Sequence, residues 1–166
     1  QAIFNGPVGK RPTFTSNGWF FNNGYVKSTQ SYSGFKEMVV VLNLVQNKYW
    51  GAAIVGSRYD RFLALGGSSQ KYNNESSQGF TGSITVNGSV NYSSTVPLAQ
   101  NHTVFKVFDS SVNGSQMHIG ANGDKYENWN GTISEVMVFD RELSEVQRIG
   151  LRKYFDTKWN VTAPSS

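Results

Sequence analysis

The sequence predicts an all-β fold, a two-sheet antiparallel jelly-roll sandwich with one short C-terminal α-helix. Three observations predict it. Short apolar or alternating segments recur with turn signals every ~8–12 residues. Glycine is abundant (17 of 166 residues) and Phe, Tyr and Trp make up 14%, while charged residues stay at 16%. That mix suits a turn-rich globular chain better than a disordered one. A strong helix-start signal stands near the end of the chain, and a lone terminal helix is compatible with a jelly roll.

Each element has a local reason. Residues 17–26 form an aromatic strand between two Asn-Gly turns, since Asn-Gly accepts positive φ at little cost. Residues 37–45 are nearly all apolar and β-branched, which predicts a strand covered on both faces. Short strands are expected at 52–55 and 62–65, followed by a break at 66–69. Residues 70–78 lack core periodicity and read as an exposed loop. Residues 83–92 read as a hairpin with Asn87-Gly88 at its tip. Residues 103–109 alternate, with Val104 and Lys106 on one face and Phe105 and Val107 on the other. A turn at Asn113-Gly114 precedes a short strand at 117–120.

The last strand is expected to place Ile133, Glu135, Met137 and Phe139 on one face and Ser134, Val136 and Val138 on the other. Both faces are nearly apolar, so this is an interior strand. Ser144 is a good N-cap and Gln147 completes a capping box, so the helix should run over 145–158. Its stripe of Val146, Ile149, Leu151, Tyr154 and Phe155 should dock on a sheet.

Length and composition limit the remaining possibilities. The 166 residues fit one domain, 1–166, with a core of about 12–159 and a tail at 160–166. The chain has no cysteine, which excludes a disulfide framework and a thiolate zinc site. No apolar run approaches ~18 residues, so no transmembrane helix and no membrane insertion are expected. The chain starts at Gln1 without a signal-peptide pattern, and reads as a processed chain or a module of a larger protein. The net charge of +4 comes without a Lys/Arg run; the nearest cluster is Arg148, Arg152 and Lys153. No basic stripe interleaved with aromatics exists, so nucleic acid is not an expected partner.

The motifs carry a family resemblance from Pro12 to Trp159. Phe20, Phe21, Asn23, Gly24 and Tyr25 look like an early "FdG…dY" strand. Residues 38–42 stand where a first long core strand would. Val86-Asn87-Gly88 looks like a "vdG" hairpin and Ile119-Gly120 like an "IG" strand. Residues 129–136 look like "F.G.I.EV". Leu143, Ser144, Arg148, Tyr154, Lys158 and Trp159 fit a helix ending "Y-L-x-x-K-W". Together these resemble laminin-G-like, concanavalin A-like lectin–glucanase domains, of the subtype found in bacterial surface and phage tail or fibre proteins. Phe155, Asn160 and Gln147 depart from the usual Leu, Gly and Glu, which alters packing and capping. The resemblance implies a carbohydrate- or receptor-binding module, with a cell-surface glycan or polysaccharide as partner. It implies an extracellular, cell-surface or virion-surface location within a larger assembly. The alternative it allows is a decoration domain that makes protein contacts only.

The candidate chemistry follows. Glycoside hydrolysis needs two carboxylates flanking the bond, and the E-x-D-x-x-E strand of the related glucanases is absent. Glu135 and Asp140 are five positions apart on one strand and should face opposite ways. His102 and His118 lie in no nucleophile motif, so no enzyme activity is expected. Sugar binding needs exposed rings and planar polar side chains. Tyr49 and Trp50 with Arg58 and Tyr59 offer both, as do Tyr126, Asn128 and Trp129, and Tyr72 and Asn73 could join either set. Trp129 also fits a structural aromatic position, and Trp19 and Trp159 are expected in the core. No cofactor is expected, except that calcium could be held by loop oxygens near Asp124.

Overall fold

The computed structural model describes residues 4–5, 11–45, 53–57, 60–66, 70–73, 80–89, 94–96, 98–113, 116–122, 127–128 and 130–161. Two six-stranded antiparallel sheets face each other, and one helix covers the outside of the second. The first sheet holds, edge to edge, β1 (Phe4–Asn5), β4 (Val26–Ser31), β11 (Gln116–Ile119), β6 (Ala53–Gly56), β7 (Arg61–Gly66) and β8 (Lys71–Asn73). The second holds β2 (Thr13–Thr15), β3 (Gly18–Asn22), β14 (Asn130–Phe139), β5 (Phe35–Leu44), β10 (His102–Val112) and β9 (Gly82–Val86). A small hairpin pairs β12 (Ala121–Asn122) with β13 (Glu127–Asn128), and α1 spans Glu145–Trp159.

β5 is buried along nearly its whole length, as its two apolar faces demand. Met38, Val40, Leu42 and Leu44 join the core between the sheets, while Val39 and Val41 join a second core under α1. Directly paired residues point to the same side of a sheet, so the register sorts the neighbours. Val104 lies beside Val40 and faces the interior, and Phe105 lies beside Val39 and faces the helix. The aromatic centre of the interior is Phe35, edge-on to both Phe62 and Phe108 at centroid distances of 5.2 and 5.5 Å.

β14 departs from the simple alternation. Ile133 pairs with Leu42, but Glu135 pairs with Val41, so Ser134 is an extra residue. This bulge puts Ile133 on the same interior face as Val136 and Val138, not with Glu135, Met137 and Phe139. Just before it, Gly131 lies so close to β5 that a Cβ would stand 2.1 Å from the Asn43 carbonyl oxygen. The Asn-Gly tip forms as expected: Asn87 and Gly88 have φ of 48° and 88°, and Val86 and Ser89 exchange backbone hydrogen bonds. The ladder partner of β9 is β10; residues 90–93 of the expected hairpin lie outside the described residues.

The helix begins at the expected capping box. Ser144 Oγ accepts from Gln147 N (3.3 Å), and Gln147 Oε1 accepts from Ser144 N (2.9 Å). It ends at Asn160 in the left-handed region, where Asn substitutes for Gly. The buried stripe is narrower than expected. Phe155 is fully buried and Leu151 and Trp159 pack beside it, whereas Val146, Ile149 and Tyr154 are exposed. Residues 151, 155 and 159 are four apart, so one ridge alone meets the flat sheet.

Glu37 ties this helix to the sheet. Its side chain is fully buried on the helix side of β5. Arg148 binds it through two bonds, Nε to Oε1 at 2.9 Å and Nη2 to Oε2 at 3.0 Å, and Leu143 N donates to Oε2 at 2.7 Å. The bonds to Glu37 raise the guanidinium's proton affinity further above its ordinary value. Replacing Arg148 with Met leaves a buried carboxylate with one backbone donor. Urea unfolding should then show a loss of about 3–5 kcal/mol; a loss below about 1 kcal/mol would place the pair among ordinary surface ion pairs.

Lys106 is a second buried charge, 2% exposed on the interior face beside Met38 and Ile84. Burial lowers its ammonium to about 8, against an opposing pull from Asp109, and Nζ lies 5.1 Å from the Phe108 ring centroid. Between about pH 8 and 10.5 the folded chain has lost this proton and the unfolded chain retains it, so stability rises with pH there. Below that window the buried charge costs about 3 kcal/mol. Lys106→Met should therefore raise stability at pH 7 by about 2 kcal/mol. It should also flatten the alkaline rise when thermal unfolding is followed from pH 7 to 10.5.

Candidate functional site

The sandwich is open along one side. β3 pairs with β14 only from Asn130 to Ile133, because its hairpin with β2 turns back at Ser16-Asn17. The Asn17 carbonyl accepts from Ser134 Oγ at 2.6 Å, which seats the hairpin tip on the bulge. Among the described residues no strand flanks β14 on this side from Glu135 to Phe139. A groove of about 310 Å³ enters between the sheets there. Its floor is apolar, made by Phe21, Val26, Met117, Ile119, Ile133, Val136 and Val138. Trp19 and Tyr32 supply rings to its walls, and Ser134 and Glu135 supply polar groups.

Trp19 is 40% exposed, which corrects the expected core position. Its register partner on β2 is Phe14, which is 76% exposed on the same face. Trp19 lines the groove, and Phe14 stands beside it on β2, so two large exposed rings offer a surface that stacks on an apolar ligand face. The groove continues past Tyr32 and Val138 into a second depression of about 340 Å³ that ends at Ser33, Phe139 and Asp140.

The rim carboxylate is already engaged. Glu135 accepts from Trp159 Nε1 at 3.2 Å and from Lys158 Nζ in a short contact. The bond to Glu135 raises the Lys158 ammonium above its ordinary value, with Tyr154 adding to the effect. Lys158 also sits over the Tyr154 and Trp159 rings, at 5.3 and 5.0 Å. Glu135 thus locks the end of α1 to β14, and its chemistry is that of a structural tie.

Of the residues expected to bind ligand, Tyr72 is placed inside the protein. Lys71–Asn73 form β8, so this part of the expected loop is an edge strand, and Tyr72 is 7% exposed in the core. Its hydroxyl lies 2.5 Å from His102 Nε2 on the opposite sheet. His102 Nδ1 lies 3.0 Å from the Gln100 carbonyl, which can only accept, so Nδ1 carries the proton and Nε2 accepts from Tyr72. The ring is removed as a stacking surface because its hydroxyl has this partner across the core. Asn73 lies on β8 and Asn128 on β13. The β12–β13 hairpin packs against β6, and Gly120 N donates to the Ile54 carbonyl at 2.7 Å. Antiparallel pairing of β11 with β6 aims this hairpin at the start of β6. Tyr49, Trp50, Arg58, Tyr59, Asp124, Tyr126 and Trp129 themselves lie outside the described residues. Between β6 and β7, Ser57 Oγ donates to Asp60 Oδ2 at 3.0 Å. No group of His, Asp and Glu among the described residues is gathered to hold a metal ion.

No family model, curated protein or solved structure matches the chain.

The Trp19–Phe14 pair carries a sequence signal of its own. The two aromatics flank the 15–18 turn at positions that pair across a hairpin, so a hairpin register alone brings them together. The expectation of a core Trp19 rested on its motif and overlooked that pairing.

The Tyr72–His102 bond has a pH signature. Burial lowers the imidazole from 6.5 to about 4, against an opposing pull from the Gln100 carbonyl. As pH falls from 6.5 to about 4, the unfolded chain takes up a proton that the folded chain refuses, so stability declines across that window. The loss attributable to His102 should be about 3 kcal/mol. Tyr72→Phe should cost about 1–3 kcal/mol at pH 7, because the acceptor loses its donor. Thermal unfolding of both proteins at pH 7 and pH 4.5 checks both numbers.

Proposed function

We propose that this chain is a non-catalytic recognition module that binds a carbohydrate or glycosylated receptor. In this reading its sandwich is a concanavalin A-like jelly roll of the laminin-G-like type, carried by a larger surface-exposed or virion-associated protein. The observation that supports it most is the exposed Trp19 on the wall of the groove along β14, with exposed Phe14 paired beside it on β2. A pyranose presents an apolar C–H face to such rings and hydroxyls to polar groups on the rim. Tyr32, Ser134 and the backbone of the open β14 edge supply rim groups of that kind. A shallow site binds weakly, so several copies in one assembly would provide avidity. The scattered basic residues give no continuous track for a nucleic acid, and no described helix is long and apolar enough to cross a membrane.

A second reading, a decoration domain with protein contacts only, draws support from the same edge. On the side away from β5, no described strand flanks Glu135–Phe139, and such an edge, apolar from Val136 onward, accepts an added strand.

A glycan array that includes bacterial surface polysaccharides separates the readings. The chain should bind a subset of glycans. Trp19→Ala should lose at least about tenfold in affinity, the scale of one stacked ring, while its unfolding midpoint stays near that of the parent. Loss in Trp50→Ala with Trp19→Ala unaffected would relocate the site to the 46–52 segment. Silence across the array would sink the carbohydrate reading in favour of protein contacts.

A further inference from the structure

A second polar cavity lies on the far side of the second sheet, between α1 and the β9–β10 connection. It is a wedge of about 250 Å³ bounded by Asn87, Thr103, Ile149, Arg152, Lys153 and Asp156. The four helical residues fall at i, i+3, i+4 and i+7 and so share one face of α1. This face is distinct from the 151–155–159 ridge that packs on the sheet. Thr103 pairs with Val41 and therefore points to the helix side, at the base of the wedge.

Thr103, Arg152, Lys153 and Asp156 have unused hydrogen-bonding capacity among the described residues. Thr103 Oγ1 is buried and has no hydrogen-bond partner among the described residues. A buried hydroxyl left in that state is destabilising, and such groups are few in native proteins. Among the described residues, neither Lys153 nor Asp156 forms an ion pair. Arg152 uses Nη2 on Glu145 at 3.3 Å, which holds the guanidinium over Gly88, about 3.6 Å from where a Cβ would stand. Its Nε and Nη1 have no hydrogen-bond acceptor among the described residues. Asn87 is oriented by Thr103 N, which donates to its Oδ1 at 2.8 Å.

We infer that this wedge is a binding site for a carboxylate-bearing saccharide. The carboxylate would pair with Arg152 and Lys153, and ring hydroxyls would donate to Asp156 and meet the Thr103 hydroxyl. Exposed Ile149 offers an apolar contact for the ring's C–H face. Asp156 decides between anions: its charge opposes a phosphate dianion but accepts hydrogen bonds from sugar hydroxyls. The wedge shares no residue with the groove at Trp19, so the two sites stand or fall separately.

The test is a ¹⁵N–¹H titration of the chain with sodium glucuronate at matched ionic strength, beside glucose and inorganic phosphate. Glucuronate should shift the amides of 87–89, 102–104 and 149–156 saturably, with a Kd on the order of millimolar for so small a ligand. Glucose and phosphate should each bind at least about tenfold more weakly. Lys153→Gln should weaken glucuronate about fivefold or more. Thr103→Val should weaken it similarly while the unfolding midpoint stays or rises, because an unsatisfied buried hydroxyl is removed. Trp19→Ala should leave these shifts unchanged. Equal binding of phosphate, or of glucose, would overturn the assignment of a sugar acid. The absence of any shift with glucuronate would overturn it too. So would Thr103→Val binding like the parent with a raised midpoint, which would make the hydroxyl a packing defect.

Discussion

A strand that is apolar on both faces has to be covered twice, and β5 imposes that condition on everything around it. Met38, Val40, Leu42 and Leu44 require a second sheet on one side. Val39 and Val41 require a helix on the other. Placing β5 between β14 and β10 satisfies its backbone, and the three strands share both cores. The helix contributes few buried residues of its own, so its position rests on Phe155 and on the Glu37–Arg148 pair. A buried carboxylate is tolerated there because a two-pronged guanidinium and the Leu143 N–H together replace its water.

The same interior strand creates the open side of the molecule. β14 is ten residues long, but β3 is five, and the short β2–β3 hairpin stops at the bulge. The extra residue at Ser134 turns Ile133 inward and lets the hairpin tip rest on Ser134, leaving Glu135–Phe139 without a described strand on the side away from β5. An apolar groove follows from that length mismatch. Exposed rings at its mouth are the feature that a sandwich has no structural need for, which is why they carry the functional proposal.

Buried polar groups divide into those that join the two sheets and those that remain unsatisfied. Tyr72 and His102 span the interior with one short hydrogen bond and a fixed tautomer. Lys106 is held among apolar side chains against the preference of its charged form. Thr103 keeps a hydroxyl without a partner among the described residues, beneath a wedge lined by charges. The first group is accounted for by architecture, whereas the last has no architectural role and suggests a ligand.

Much of this fold was legible in the residues. The β-branched run at 37–45 announced a doubly covered strand, Asn87-Gly88 announced a turn, and Ser144 with Gln147 announced the helix start. These are local signals, set by periodicity, positive φ and capping, and they need no knowledge of distant partners. The site was less legible. Tyr72 stands in a polar stretch, and only the opposite sheet, bringing His102, draws it inward. Trp19 stands in a motif that suggests core, and only the short hairpin beside a longer β14 leaves it exposed. The bulge at Ser134 breaks an alternation that the sequence shows as regular. The sequence by itself determined the long core strands, the helix and the Asn87-Gly88 turn, because backbone and side-chain chemistry act over a few residues, whereas the edge strand β8 emerged only in the fold. The tertiary structure alone decided which rings face water and which polar groups lack partners, because exposure depends on residues far away in the chain.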